Sequence, residues 1–271
     1  MTSLLELRDL ALRFALECAP IPADAQPRVH QARTMATRTK SSEVDLVTEL
    51  DTATETALIA CIRDARPDDG ILGEEGASSG GTTGFTWVID PIDGTVNYFF
   101  GSPQWCMSIG IVDADGVPVV GVVHAPALRE TYVAARGAGA SVIIDGEHID
   151  LAPPPEVTLD MALLATGFSY SRERRVAIAQ AIAVLAPRVR DFRRAGAAAL
   201  DICAVAAGRM HGYFERDLKP WDRAAAFVVA HEVGLETAVI GEREGHELTI
   251  VAPPALAATL RSELAQLGVA D

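Results

Sequence analysis

Cysteine is scarce in this chain. Cys18, Cys61, Cys106 and Cys203 are four thiols in 271 residues, and no two of them form a CxxC pair. That spacing excludes a disulfide framework and a zinc knuckle, and it leaves buried, reduced thiols of a cytoplasmic protein as the expectation. Basic side chains are also few: 23 Lys and Arg stand against 37 Asp and Glu, for a net charge of −14. Such a balance argues against nucleic acid or an anionic membrane as the principal partner. A phosphate-bearing ligand would need a cation to bring it in. Long apolar runs are missing as well. No stretch approaches the roughly 18 uninterrupted apolar residues of a membrane span. At the N-terminus Glu6, Arg8, Asp9, Arg13 and Glu17 break up the apolar residues, while Leu4, Leu7, Ala11, Phe14, Ala15 and Cys18 recur at helical spacing. The pattern predicts an amphipathic first helix, not an export signal.

What is present is apolar mass: 49% hydrophobic residues suffice for one large domain or two fused small ones. Pro20, Pro22 and Pro27 predict a loop from Pro20 to Ser42. Thr48 and Asp51 resemble a capping box opening a second helix that runs to Ala65. "GILGEEG" and "GGTTG" read as turns, and "FTWVID" as a strand ending at Asp90. From Met107 to Ile149 the pattern is an antiparallel meander of strands and turns. "APPPE" marks a boundary, because consecutive prolines continue neither kind of regular structure. Beyond it short strands alternate with helices, the last from Pro254, which predicts a largely parallel or mixed sheet covered on both faces. The expected class is therefore α/β: an N-terminal α+β subdomain over 1–152 and a C-terminal α/β subdomain over 153–271.

The segment "DPIDGTVN", Asp90 to Asn97, places two carboxylates three positions apart beside a glycine and a hydroxyl. A turn brings such residues within roughly 7 Å, where two anions need a cation between them or one must protonate. Oxygen donors without Cys or His favour a hard ion such as Mg²⁺. Gly94 permits a tight backbone whose amides, with those of Thr95, could hold a phosphate oxygen. The competing reading is a pair of Asx turns. Glu74 and Glu75 in "GEEG", Asp222 at a helix start after Pro220, and Asp45 and Asp51 around "LVT" add acids from elsewhere in the chain.

Taken in order, "KSSEVDLVTELD", "GEEG", "WVIDPIDGTVN", "RRAGAAALDICAVAAGRMHGYFE" and "PWDRAAA" resemble the inositol monophosphatase family, most like its actinobacterial inositol-1-phosphatase-type members. The resemblance spans nearly the whole chain. It implies the layered αβαβα sandwich of the inositol monophosphatase and fructose-1,6-bisphosphatase type, a homodimer, two or three Mg²⁺ ions and lithium sensitivity. It also implies hydrolysis of a small-molecule phosphate monoester, inositol 1-phosphate foremost. By the same resemblance Glu74, Asp90 and the Ile92 carbonyl would hold one ion, and Asp90, Asp93 and Asp222 a second. Thr95, polarised by Asp51, would orient the attacking water, with Glu74 helping to place it and Glu75 supporting the network. Gly94 and Thr95 would bind phosphate; Asp93, Gly196, Ala198 and Glu215 would contact substrate hydroxyls. Lys40 and Asp45 lie in the motif without an assigned contact. Ala197 and Ala226 depart from the family pattern, the first removing a hydroxyl and the second replacing a glycine behind Asp222.

Rival motifs fail on single residues. A haloacid-dehalogenase phosphatase needs a nucleophilic Asp where this chain has Pro91. "HEVGL" lacks the second His of a zinc helix at Leu235, so His231 reads as a helix-surface residue. "DADG" at Asp113 has His124 where a calcium loop needs Glu, and reads as a hairpin turn. Trp87, Trp221, Phe99 and Phe100 are core or a sugar platform; Arg193 and Arg194 are surface charge or a phosphate clamp. Histidinol phosphate, fructose 1,6-bisphosphate or a 3′-phosphonucleotide are alternative substrates, and a catalytically silent interaction protein is the alternative class.

Overall fold

The computed structural model describes residues 3–35, 41–169, 171–241 and 247–269, leaving aside the side chains of 32–35, 41–46 and 173. Lys40 and the Asp45 side chain lie outside the described residues. Helix α1 (Leu4–Cys18) opens with a capping box in which the Ser3 hydroxyl accepts from the Glu6 amide, and the Glu6 carboxylate from the Ser3 amide. Its buried stripe of Leu7, Ala11, Phe14, Ala15 and Cys18 matches the helical spacing read from the sequence.

The loop expected from Pro20 is instead helix α2 (Pro20–Met35). Pro20 and Pro22 fall in the first turn, where amides have no helical acceptor, so only Pro27 is interior. Burial then decides: Ala25 and Val29 are inside, the Tyr98 hydroxyl donates to the Pro22 carbonyl at 2.7 Å, and the Trp105 indole donates to the Gln26 side chain at 3.2 Å. Helix α3 (Ser41–Ala65) begins well before the expected cap, which places Thr48 and Asp51 inside it.

The glycines of "GILG" serve close approach, not a turn. They form strand β1 (Gly70–Gly73), hydrogen-bonded to β2 (Ser78–Ser79) and parallel to β3 (Thr86–Asp93). A methyl group on Gly70 would sit 2.6 Å from the Thr86 hydroxyl, and one on Gly73 would overlap the Glu55 carboxylate. After the short helix α4 (Thr95–Phe100) come β4 (Cys106–Val112), β5 (Pro118–Ala125), β6 (Glu130–Ala135), β7 (Ala140–Ile144) and β8 (Glu147–Asp150), the expected meander. Together they make an eight-stranded sheet in the order β2-β1-β3-β4-β5-β6-β7-β8.

Residues 151–158, around the triple proline, have no regular structure. Then follow β9 (Leu163–Thr166), α5 (Arg172–Leu185), β10 (Asp191–Arg193), α6 (Ala198–Ala206), β11 (Gly212–Arg216), α7 (Pro220–Glu232), β12 (Glu236–Ile240), β13 (Leu248–Ala252) and α8 (Pro254–Gln266). Their five strands form a second, mixed sheet, β10-β9-β11-β13-β12.

Strand alternation sorts the side chains into layers. Val120 and Val122 of β5 pack with Leu7 and Phe14 of α1 and Leu58 of α3, while Val123 and Ala125 face α6 and α7. On β11, Tyr213 faces those same two helices, and Phe214 faces Ile178 of α5 and Leu256 of α8. The result is the expected order of helices, large sheet, helices, small sheet, helices. Gly110 and Gly121 are cross-strand partners beneath α7. A methyl on Gly110 would lie 2.8 Å from the Ala224 Cβ, and one on Gly121 would run into the Ala225 carbonyl. Their bareness sets the depth of α7, and Ala226 is fully buried in the same layer.

Candidate active site

In a regular strand, residues three apart face opposite sides of the sheet. Asp90 and Asp93 escape that rule because the pairing of β3 with β4 shifts between them, from Asp90 opposite Ser108 to Asp93 opposite Cys106. The segment read as a turn is thus a strand whose irregular end turns both acids to one side. Gly94 follows with φ 92° and ψ 36°, left-handed values that suit glycine. A side chain there would also press on the Gln104 carbonyl at 2.9 Å and on Ala197 at 3.1 Å. Thr95 opens α4 and donates its hydroxyl to the Ile92 carbonyl at 3.2 Å, not to Asp51.

Two further acids arrive from distant segments. Parallel pairing of β1 with β3 brings Gly73 opposite Ile89, and the Glu74 amide donates to the Ile89 carbonyl at 3.2 Å, which sets Glu74 beside Asp90. Asp222 is the third residue of α7, behind Pro220, and its carboxylate accepts the Lys219 amide at 2.6 Å. The Ser108 hydroxyl, donating to the Trp221 carbonyl at 3.2 Å, ties that helix end to the strand that carries Asp90's partner. Glu74, Asp90, Ile92, Asp93 and Asp222 all open on one cavity of about 110 Å³. Gly94, Thr95, Gly196, Ala198 and Glu215 complete its expected lining.

Burial and mutual repulsion govern the electrostatics. Loss of water raises Glu74, Asp93 and Asp222 to about 7 each, and the charges of neighbouring acids add to the rise. Asp90, 1% exposed, is pushed well above the carboxylate range by burial and then by Glu74, Asp93 and Asp222. Its Oδ1 is buried with no hydrogen-bond partner, as is Oδ1 of Asp51. Among the described residues no trio of His, Cys, Asp or Glu side chains is spaced as a finished metal cage. The donor set nevertheless fits a hard divalent cation: it is all oxygen, buried, and short of positive charge.

Asp93 also does something the sequence did not announce. It accepts the Ala198 amide at 3.2 Å and the Ala199 amide at 2.7 Å, capping α6 from the other sheet. Ala197 is the N-cap residue and has no side-chain acceptor, so the hydroxyl missing from the chain is replaced across space. The Ala198 amide is therefore already bonded, which leaves the expected substrate contact there to other atoms of that segment.

Glu215 lies on β11, hydrogen-bonded by the Tyr213 hydroxyl, and burial with the charges of Asp222 and Asp93 raises it to about 8. It fits because residue 167 is glycine, where a methyl would overlap its carboxylate. Asp51 and Glu75 stand outside the cavity lining. Burial raises Asp51 to about 8, with Glu74 and Glu75 as the next causes. Glu75 accepts weakly from the Thr52 hydroxyl at 3.4 Å.

Sequence reasoning missed Glu55, whose carboxylate accepts the Glu75 amide at 2.9 Å and the Ala77 amide at 3.2 Å and so holds the "GEEG" turn. It missed Gly167 and Phe168 as well. A lone acid on a helix and an ordinary glycine carry no local signal. The doubled arginines separate: Arg193 pairs with Asp191 at 2.5 Å on the surface, and Arg194 lines the cavity. Trp87 is core, fully buried with its indole donating to Asp69 at 2.9 Å, whereas Phe100 is 54% exposed. His231 is on the helix surface and Asp113 accepts the turn amides of Asp115 and Val117.

An α/β sandwich with an acid-lined cavity at the junction of its sheets defines a class, and comparison with known proteins gives that class a family. The model of the inositol monophosphatase family matches residues 7–269, and the chain belongs to that family. It is 42% identical over 237 residues to inositol-1-monophosphatase SuhB of Mycobacterium tuberculosis, covering 84% of this chain and 81% of the relative. The solved structure of Mycobacterium tuberculosis SuhB superposes over 100% of both chains with a TM-score of 0.86 at 36% identity. A relative named Nus factor SuhB, from Pasteurella multocida, is 39% identical over 230 residues, 83% of this chain and 82% of the relative. Family membership implies a phosphatase acting on a small phosphate ester. Among the described residues no helix is long and apolar enough to cross a membrane.

Proposed function

We propose that the chain is a Mg²⁺-dependent phosphatase that releases phosphate from a small polyol monoester, inositol 1-phosphate first, working in the cytoplasm as a lithium-sensitive homodimer. One observation carries the reading: Glu74, Asp90, Asp93 and Asp222, from three remote segments, line one cavity with Gly94 and Thr95. The relative named inositol-1-monophosphatase supports the substrate.

In this reading Glu74, Asp90 and the Ile92 carbonyl would hold one ion, Asp90, Asp93 and Asp222 would hold a second, and Glu74 would help hold a weaker third. Bound there, Mg²⁺ supplies the positive charge that admits an anionic ester and makes the attacking water more acidic. The chain's own groups do the rest. Gly94 and Thr95 offer amides to the phosphate. The Thr95 hydroxyl, committed as a donor to Ile92, turns its lone pairs toward the water and orients it. Asp51 and Glu75 stand behind that water, with Glu55 fixing the turn that carries Glu74 and Glu75. Glu215 accepts from the leaving alcohol's hydroxyls on the far wall. Phosphate esters are among the slowest of biological hydrolyses, so positioning and charge must supply nearly all of the acceleration.

Phosphate release from inositol 1-phosphate with and without Mg²⁺ tests the proposal. A Mg²⁺-independent rate, or full activity in Asp90→Asn, rejects it. Comparing kcat/KM with histidinol phosphate, fructose 1,6-bisphosphate and a 3′-phosphonucleotide ranks the substrates. The relative named Nus factor SuhB favours a second reading, an interaction protein. Capture of a partner by wild type and Asp90→Asn alike, in a chain that hydrolyses none of these esters, supports that reading over the first.

A further inference from the structure

Among the described residues lining the cavity, five are acidic and Arg194 is the one cation. Its place is built, not incidental. β10 ends at Arg193, which turns outward to Asp191, so the next residue is aimed the other way. Asn97 pins the following segment, donating to the Ala195 carbonyl at 2.8 Å and to the Gln104 carbonyl at 2.6 Å. Gly196, at φ 95°, leaves the space that the Arg194 guanidinium fills, since a methyl there would overlap its Nη1. Arg194 and Glu215 line the same cavity, and the guanidinium's charge favours the ionised forms of both Glu215 and Asp201.

We infer that Arg194 is a specificity-determining residue that donates to a hydroxyl of the leaving alcohol next to the one Glu215 accepts from. This deepens the proposed function and rests on it. The chemistry follows from the pairing. A carboxylate accepts and a guanidinium only donates, so side by side they read two neighbouring hydroxyls of a polyol in a fixed sense. An ester whose leaving group lacks hydroxyls gains nothing from the pair. The contact exists before and during reaction, so its loss raises KM and leaves kcat nearly unchanged.

The test compares wild type, Arg194→Ala and Arg194→Lys in Mg²⁺ on inositol 1-phosphate, p-nitrophenyl phosphate and fructose 1,6-bisphosphate. Arg194 is exposed, so folding is not at stake, and thermal melts verify that. Arg194→Ala should lose about 10- to 100-fold in kcat/KM on inositol 1-phosphate, through KM. The aryl ester should change by less than about 3-fold, and Arg194→Lys should recover part of the loss. Equal losses on both monoesters, no loss on either, or a loss confined to the bisphosphate overturn it while the phosphatase reading stands. A wild type that hydrolyses none of the three overturns both.

Discussion

Gly167→Ala is a substitution whose effect follows from one collision. Residue 167 follows β9, and its backbone is not in the left-handed region, so alanine adds no conformational strain. Only the new methyl matters, and it would occupy the volume of the Glu215 carboxylate. That carboxylate cannot retreat backward, because Tyr213 holds it and β11 is buried behind it. It must swing into the cavity of about 110 Å³, toward Asp222 and Asp93, whose charges already disfavour its ionised form. Overpacking of this kind costs about 1–3 kcal/mol. At roughly 2–4 °C per kcal/mol for a chain of this size, Tm should fall by about 2–12 °C.

The assay is a double-mutant cycle by thermal or urea unfolding. Glu215→Ala alone orphans the Tyr213 hydroxyl, a cost of about 1–3 kcal/mol, while relieving a buried acid. In the Glu215→Ala background the methyl at 167 meets open space, so its own penalty should shrink below about 0.5 kcal/mol. The phosphatase reading adds a second readout, a rise in KM for the polyol ester in Gly167→Ala. A penalty of the same size with or without Glu215 refutes the collision and the pairing of Gly167 with Glu215.

Three other outcomes follow from the same geometry. Glu74, Asp93 and Asp222 rise to about 7, and Asp51 and Glu215 to about 8, so the folded chain binds protons more tightly than the unfolded one. Their contribution is therefore full below pH about 4 and is lost as pH climbs through about 7–8. The metal-free Tm should fall between pH 5 and pH 8.5, and saturating Mg²⁺ should raise it most at the alkaline end; a Tm flat with pH would contradict the shared burial of these acids. Gly121→Ala would drive a methyl into the Ala225 carbonyl and lift α7 from the sheet, costing about 3 kcal/mol or more and carrying Asp222 with it, seen as a lower urea midpoint together with weaker Mg²⁺ binding by calorimetry. Asp93→Ala removes both acceptors at the start of α6, and loss of the cap should cost about 1–2 kcal/mol even without metal, where an unchanged urea midpoint would count against the cap.

How far the sequence speaks depends on whether a residue's role is local. Asp222 was legible because Pro220 and the acid two residues on spell a helix start, and a cap is written within one turn. Strands β4 to β8 were legible from alternation and turn residues that act between neighbours. Helix α2 was not, since prolines speak against a helix while the groups that outvote them, Tyr98 and Trp105, come 76 and 79 residues after the residues they bond. The glycines of β1 were misread for the same reason: what they avoid, Thr86 and Glu55, lies elsewhere in the chain. Asp93 joins the two cases. Its acidity and spacing from Asp90 marked it as a metal donor, yet its bonds to Ala198 and Ala199 make it the cap of a helix from the other sheet. One side chain thereby couples the placement of the acid cluster to the placement of α6. A change in how the sheets sit would reach the cavity through that carboxylate, because both of its oxygens are held by α6 amides.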